Sequence, residues 1–218
     1  MYFHLDGRAP DSPSRYSIAR VGVAECATID GDYRYVGSFQ PLGHESRDIG
    51  QFIDDDGQAY LIFESRPLEG FFISRLSPDR LEVAGQVAFI RAPIEGGAIV
   101  RHEGLYYCIG SQLTGWWPNA NKYSTAESLT GSWSEFRDFA PPESHTFGSQ
   151  STNLLRIVGT RATAVVYLGD MWRPYELHDS RYLWHPLEIG SGQLRLKPRG
   201  GSSGPWRIDV RTGEATFR

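Results

Sequence analysis

Three short segments of this chain each place one polar side chain just ahead of an apolar strand pattern. The segments cover residues 46–60, 95–100 and 148–152, and their polar residues are Asp48, Glu95 and Gln150. A pair of carboxyl groups in one pocket is the minimum equipment for hydrolysis of a glycosidic bond. The segments lie about 50 positions apart, so this chemistry requires a fold that repeats at that interval and gathers its strand starts around one axis.

The strand pattern supports such a repeat. Short apolar runs rich in aromatic and β-branched residues begin at Ala59, Leu105 and Ala164, and each follows a turn. Gly57 and Gly104 stand where a hairpin needs positive φ. The turns lie about 47 and about 55 residues apart, which is typical of a repeated four-stranded unit. No stretch of ten or more residues has a convincing helical period, so we predict an all-β propeller with very little helix.

The first unit of this repeat is incomplete. Residues 1–5 match the second strand of a unit, so we expect the chain to begin inside a blade and to hold about three and a half units. Outer strands are predicted at 32–37, 131–136 and 181–187. A Gly- and Ser-rich stretch at 200–205 is expected to be flexible, but too little chain follows for a domain linker. We therefore predict one domain over residues 1–218, which on its own is marginally stable and inactive because a sheet edge and an apolar face stay open to water.

Composition excludes several classes of function. The formal net charge is −4, which argues against nucleic acid as a partner because phosphates need a basic surface. Cys26 and Cys108 form no CxxC pair and are expected to be buried free thiols. No HExxH, Walker or GxGxxG motif indicates a metal or an organic cofactor. No apolar run approaches the roughly 20 residues of a membrane span, and the N-terminus does not have the pattern of a signal peptide.

Each candidate polar residue also has an ordinary structural interpretation. Asp48 follows Arg47 and is typical of a surface ion pair, or of a buried carboxylate that adjusts the pKa of a neighbour. Glu95 suits a solvated loop, although Gly96 and Gly97 beside it allow close approach by a ligand or by another strand. Gln150 suits hydrogen bonding at a strand edge.

Tryptophans on loops indicate a sugar ligand. Trp116 and Trp117 follow Leu113-Thr114-Gly115, and Trp172 follows Gly169-Asp170-Met171 at a strand end. An indole ring covers the apolar face of a pyranose well, so such residues are common sugar platforms. Trp133, Trp184 and Trp206 lie within strand patterns and are expected to fill the core between blades.

Together these segments resemble glycoside hydrolase family 43, and within it the exo-β-1,3-galactanase branch. The resemblance rests on residues 16–24, 46–60, 95–111, 113–116, 148–151, 169–172 and 182–184. It implies a five-bladed β-propeller whose first blade is largely missing here, and an inverting mechanism without a cofactor or a metal. The chain departs from the branch at Glu95-Gly96-Gly97, where the branch usually has Glu-Ala-Pro.

The resemblance also implies roles for individual residues. Glu95 matches the general acid, Asp48 the carboxylate that tunes the acid, and Gln150 a glutamine that handles the attacking water. The substrate-binding positions that it suggests are Tyr16, Arg47, Glu64, Thr114, Trp116 and Trp172. Inversion predicts that Glu95 and Gln150 lie about 6.5–9.5 Å apart, with Asp48 at the same end of the axis.

The expected function is exo-acting hydrolysis of a galactose-containing plant polysaccharide, most simply β-1,3-galactan. Two alternatives stay open: an α-L-arabinofuranosidase or galactofuranosidase of a sister branch, and a propeller that binds carbohydrate without turnover. The expected partner is an oligo- or polysaccharide, with neither nucleic acid nor a membrane involved. The full-length protein is expected to be extracellular or periplasmic.

Overall fold

Antiparallel β-strands make up most of the structure. The computed structural model describes residues 1–197 and 205–217, in which helix is confined to turns of three or four residues. The predicted all-β class is confirmed. No helix in the described part of the chain has the length and the apolar character needed to cross a lipid bilayer. The flexible stretch predicted at 200–205 lies outside the described residues except for Pro205.

The chain divides into two compact units, Met1–Pro93 and Ile94–Arg218. The first unit contains a three-stranded sheet and a four-stranded sheet, each in sequential antiparallel order. The strands of the first sheet are β1 (Tyr2–Leu5), β2 (Arg20–Glu25) and β3 (Arg34–Phe39). Those of the second are β4 (Ile49–Ile53), β5 (Ala59–Ser65), β6 (Gly70–Leu76) and β7 (Val83–Arg91).

The second unit repeats this hairpin pattern. Its larger sheets are β8 (Ile94–His102), β9 (Leu105–Gln112), β10 (Lys122–Ala126) and β11 (Arg137–Asp138), then β12 (Gln150–Val158), β13 (Thr163–Met171) and β14 (Arg181–Pro186). Two short pairs follow, namely β15 (Glu188–Gly190) with β16 (Gln193–Arg195), and β17 (Trp206–Ile208) with β18 (Ala215–Phe217). Among the described residues every sheet is open.

Each unit has its own apolar core. Unit 1 packs Val21, Leu61, Phe63 and Phe72 together, all at most 4% exposed. The core of unit 2 includes Tyr107, Ile109, Tyr123, Phe139, Tyr167 and Leu183. These side chains alternate along their strands, as expected of sheets with buried faces. The two hairpins nearest the candidate residues are thereby fixed in register.

Two details differ from the sequence predictions. Residues 131–136 do not form an outer strand, because the backbone N–H and carbonyl groups there are used differently: Ser134 N donates to Thr125 O, and Ser134 Oγ accepts from Thr125 N. The strand β11 begins only at Arg137. Trp184 is 47% exposed and does not fill a core.

Candidate active site

Glu95 and Gln150 are in direct contact at the starts of two strands of unit 2. Glu95 is the second residue of β8, and Gln150 is the first of β12. Gln150 Nε2 donates a hydrogen bond of 2.9 Å to Glu95 Oε1, and Glu95 is only 7% exposed. The predicted separation of about 6.5–9.5 Å is therefore wrong for this state of the site. The two groups are hydrogen-bond partners, and no water separates these two atoms.

The orientation of the Gln150 amide is set by its neighbours. Trp172 Nε1 donates to Gln150 Oε1 at 2.7 Å, and an indole nitrogen can only donate. The amide nitrogen must therefore face the other way, where it also donates to Ser111 Oγ at 3.0 Å. Both amide protons and one oxygen lone pair are thus engaged. Ser111 is fully buried and was not found from the sequence; its only signal is a polar residue near the end of β9.

A β-bulge aims the Glu95 side chain. The register of β8 against β9 shifts between Glu95 and Ala98, and Gly96 has φ +63°. A Cβ at Gly96 would lie 2.4 Å from the carbonyl oxygen of Ser151 on β12. Ser151 Oγ in turn donates to Gly96 O at 2.9 Å. The expected close approach at this glycine is made by another strand, and it locks the starts of β8 and β12 together.

A left-handed turn at residues 145–148 positions Gln150 in the site. His145, Thr146 and Phe147 have φ values of 50°, 53° and 55°, and Gly148 has φ +75°. The left-handed conformation costs about 1–2 kcal/mol for each residue with a side chain. Such strain persists only where surrounding contacts impose it. The left-handed run ends at Gly148, two residues before Gln150, and the buried Ser149 is extended.

Buried hydrogen bonds impose this conformation. Thr146, which is fully buried, accepts from Asn121 N at 2.8 Å and donates to Asn119 O at 3.0 Å through its hydroxyl. Asn121 Oδ1 accepts from Ser151 N at 2.7 Å, on the other side of Gln150. Ser149 Oγ donates to Thr146 O at 2.6 Å. Gln150 is therefore clamped through both of its chain neighbours.

Tyr167 of β13 completes this network. Its hydroxyl lies 3.0 Å from Ser149 Oγ, and burial raises the pKa of the phenol, so it stays protonated and can donate. The sequence prediction missed these residues, because isolated Asn, Ser and Thr residues near strand ends are ordinary. Only the alternation in Asn119-Ala120-Asn121 hinted at two polar side chains on one side of the chain.

We predict that Thr146→Val loosens Gln150. Valine keeps the β-branched shape but leaves Asn119 O and Asn121 N without the hydroxyl. The free energy of unfolding should fall by about 1–3 kcal/mol in a urea titration. Turnover should fall more than apparent substrate affinity. Thr146→Ser keeps the hydroxyl and should restore both quantities, and an equal loss in the Ser and Val variants would contradict the role of the hydroxyl.

The predicted sugar-binding residues of unit 2 differ in how strongly contacts within the protein restrain their side chains. Trp116 is 41% exposed and lies edge-on to Trp172, with ring centroids 4.9 Å apart. Trp172 is held by its bond to Gln150. The Thr114 hydroxyl accepts from Asn119 Nδ2 at 2.7 Å and donates to Trp117 O. Thr114 therefore shapes the loop that carries Trp116, and Trp116 offers more exposed ring surface.

In unit 1, Asp48 and Glu64 face each other across two strands. Glu64 N donates to Asp48 O at 2.9 Å, and a carboxylate oxygen of one side chain lies within 4.8 Å of one of the other. Glu64 is 2% exposed and is ion-paired with Arg66 at 2.6 Å. Burial raises the pKa of Glu64 and the charge of Asp48 raises it further, while Arg66 lowers it; the net shift is upward. The charge of Asp48 is one of the smaller contributions to the raised pKa of Glu64.

The remaining predicted residues of unit 1 lie on its loops. Arg47 Nη1 contacts Asp6 Oδ2 at 3.0 Å, and Arg47 Nε lies 3.5 Å from Glu45 Oε1. Asp6 also accepts from the backbone N–H groups of Gly7, Ile18 and Ala19, so it anchors this loop. Arg47 is thus engaged by acidic side chains. Tyr16 is 54% exposed on the same loop.

Comparison with known proteins identifies the family to which this chain belongs. The family model described as glycosyl hydrolases family 43 matches residues 6–167. An exo-β-1,3-galactanase of Phanerochaete chrysosporium, in a variant crystallised with β-1,3-galactotriose, is 39% identical with a TM-score of 0.87, over 100% of this chain and 48% of the other. An exo-β-1,3-galactanase of Clostridium thermocellum is 30% identical with a TM-score of 0.84, over 93% of this chain and 46% of the other. The chain thus spans less than half the length of these relatives. No curated protein matches it significantly.

Proposed function

Because this chain belongs to glycosyl hydrolase family 43, we propose that the protein is an exo-acting, inverting glycoside hydrolase that removes galactose from β-1,3-galactan. Support for the substrate comes from the exo-β-1,3-galactanases that are 30% and 39% identical to it. One of them has been crystallised both with β-1,3-galactotriose and with galactose. On this proposal the sheets are blades of a β-propeller of the family 43 type, and residues 1–218 belong to one domain.

The hydrogen bond between Glu95 and Gln150 is the observation that carries this proposal. Glu95 acts as the general acid that protonates the leaving oxygen. Because Oε1 accepts from Gln150 Nε2, this contact favours Oε2 as the protonated and donating atom of a neutral Glu95. A buried carboxyl group with a favoured proton position suits general acid catalysis.

Gln150 has two tasks in the proposed reaction. Before substrate enters, it orients the acid through Nε2. Inversion requires the sugar to lie between the acid and the water, so the Glu95–Gln150 bond opens as the sugar enters. The second lone pair of Gln150 Oε1 then holds the attacking water, while Trp172 keeps the amide in place. An ordinary amide is a weak base, so positioning of the water matters more than proton abstraction.

The other predicted site residues are assigned roles that assist Glu95 and Gln150. Asp48 is assigned the role of tuning the acid on the family resemblance. Trp116 offers a ring face to the sugar. Tyr16, with its exposed ring, is the better candidate for sugar contact in unit 1, since Arg47 and Glu64 are held in ion pairs.

The test is the configuration of the first sugar released from β-1,3-galactan, followed by proton NMR. The assay uses the 218-residue chain and, in parallel, the chain with any residues encoded upstream. An inverting enzyme releases α-galactose first. Release of β-galactose would contradict inversion, release of arabinose from an arabinofuranoside would favour the sister-branch activity, and binding of galactan without any release would favour a carbohydrate-binding protein.

A further inference from the structure

Two contacting pairs of aromatic rings join two loops of unit 2 beside Gln150, namely Trp172 with Trp116 and Trp117 with Tyr175. We propose that the more exposed pair, Trp117 and Tyr175 (the outer pair), forms a binding site for the part of a β-1,3-linked galactose chain that lies beyond the cleaved residue. This inference rests on the proposed function and adds a second sugar contact outside the reacting position. The site recognises the length of the oligosaccharide, and it takes no part in bond cleavage.

The first pair lies at the candidate active site. Trp172 donates its indole N–H to Gln150, and Trp116 lies against Trp172. Trp117 follows Trp116 in the chain, and its ring centroid lies 6.5 Å from that of Tyr175 with the rings 74° apart. Both pairs thus join the loop after β9 to the loop after β13, and the first pair includes the side chain that holds Gln150.

The outer pair is more exposed to solvent than Trp116. Trp116 is 41% exposed, Trp117 60% and Tyr175 89%. Neither outer ring fills a core, and adjacent exposed aromatic rings commonly mark a binding surface. The C–H faces of galactose rings are apolar, so they cover such rings well while the hydroxyl groups stay in water. A long glycan leaving a pocket is an occupant of suitable shape and chemistry.

Hydrogen bonds within each of the two loops restrain its conformation. Trp117 N donates to Thr114 O at 3.3 Å, and the Thr114 hydroxyl donates to Trp117 O. In the other loop, Arg173 N donates to Ser180 Oγ at 3.1 Å, and Glu176 N donates to Arg173 O at 2.9 Å. A pre-ordered platform loses little conformational entropy on binding. This favours a real subsite over two mobile loops that happen to carry aromatic residues.

Binding should be measured by isothermal titration calorimetry, with galactose and β-1,3-linked galactobiose to galactotetraose as ligands. The background is Glu95→Gln, so that no ligand is consumed. The affinity should rise with chain length, and Trp117→Ala together with Tyr175→Ala should remove about 10-fold of that gain at the tetraose while galactose binding is unchanged. Trp117→Phe keeps a ring and should retain most of the gain. Leu177→Ala removes an exposed apolar side chain from the Tyr175 loop without removing a ring, and it should change nothing.

The outcomes separate this site from the proposed function. If the wild-type protein releases galactose but affinity does not increase with length, or if the double variant keeps the full gain, the site is refuted and the function stands. If the length-dependent gain is present and lost in the double variant while neither the 218-residue chain nor the chain with any residues encoded upstream releases galactose, the site stands and the hydrolase proposal fails. If no galactose oligomer binds at all, both are refuted. Circular dichroism of each variant checks that the loops remain folded.

Discussion

In an active protein that includes any residues encoded upstream, we expect Glu95→Gln to lower the turnover of β-1,3-galactobiose by about 10²–10⁴, because the leaving sugar oxygen then departs without a proton. A 2,4-dinitrophenyl galactoside loses much less, since its leaving group needs little protonation. The variant can keep the structural contact, because the amide oxygen of the new Gln can still accept from Gln150 Nε2 at the place of Glu95 Oε1. The substitution therefore removes the acidic proton of Glu95 and keeps the shape of the side chain.

The pH dependence provides a second measurement of the same variant. In the wild-type protein the rate on the poor leaving group should fall at high pH as the acid loses its proton, and this fall should disappear in Glu95→Gln. Glu103→Gln is the matched control, because Glu103 is an exposed glutamate in the turn at the opposite end of β8. Its activity should stay within about twofold of the wild-type value, as for most surface substitutions. Equal losses on both substrates in Glu95→Gln would rule Glu95 out as the acid.

Gly96→Ala is expected to have the largest effect on the fold around the site. An alanine at this position must adopt the left-handed φ, which costs about 1–2 kcal/mol of conformational free energy. Its Cβ also meets the Ser151 carbonyl oxygen at 2.4 Å, so β8 and β12 must move apart, which adds about 1–3 kcal/mol. The free energy of unfolding should therefore fall by about 2–5 kcal/mol in a urea titration. Because Glu95 and Gln150 lie at this junction, turnover should fall by about 10²-fold.

Gly104→Ala separates the cost of the left-handed φ from the cost of the steric contact with Ser151. Gly104 has φ +82°, and an added Cβ there meets no atom within 4 Å. It lies in the turn of the same hairpin, away from the start of β8. Gly104→Ala should therefore show only the conformational part, about 1–2 kcal/mol, with unchanged turnover. If the two variants lose equal stability and equal activity, the close approach of Ser151 to Gly96 does not control the site.

Local sequence patterns were sufficient for the class of fold and for the choice of the two central residues. The apolar runs along Leu105–Gln112 and Thr163–Met171 predict strands, because short runs rich in aromatic and β-branched residues that follow a turn favour a buried strand. The expected hairpin at Gly104 follows from its tolerance of positive φ. Glu95 and Gln150 stood out because each is a polar residue at the start of an apolar strand pattern, and the family resemblance supplied their expected roles.

Other features of the structure could not be predicted from local sequence patterns. Residues 131–136 have the composition of a strand, but the Ser134 side chain takes over the backbone pairing with Thr125. Thr114 and Trp172 seemed equally free to contact sugar, yet both donate hydrogen bonds within the protein. These outcomes depend on which polar group comes within about 3 Å of another, and that distance is set by chain segments distant in sequence.

The sequence by itself determined that this chain forms antiparallel sheets, belongs to its family and carries Glu95 and Gln150 at strand starts. Only the tertiary structure decided that these two side chains touch, with Gln150 donating to the acid. A one-residue shift reverses the face of every side chain in a strand, so the bulge at Gly96 and the left-handed turn before Ser149 decide where both residues point. Both are held by contacts between segments about 25–55 residues apart, which no local pattern records.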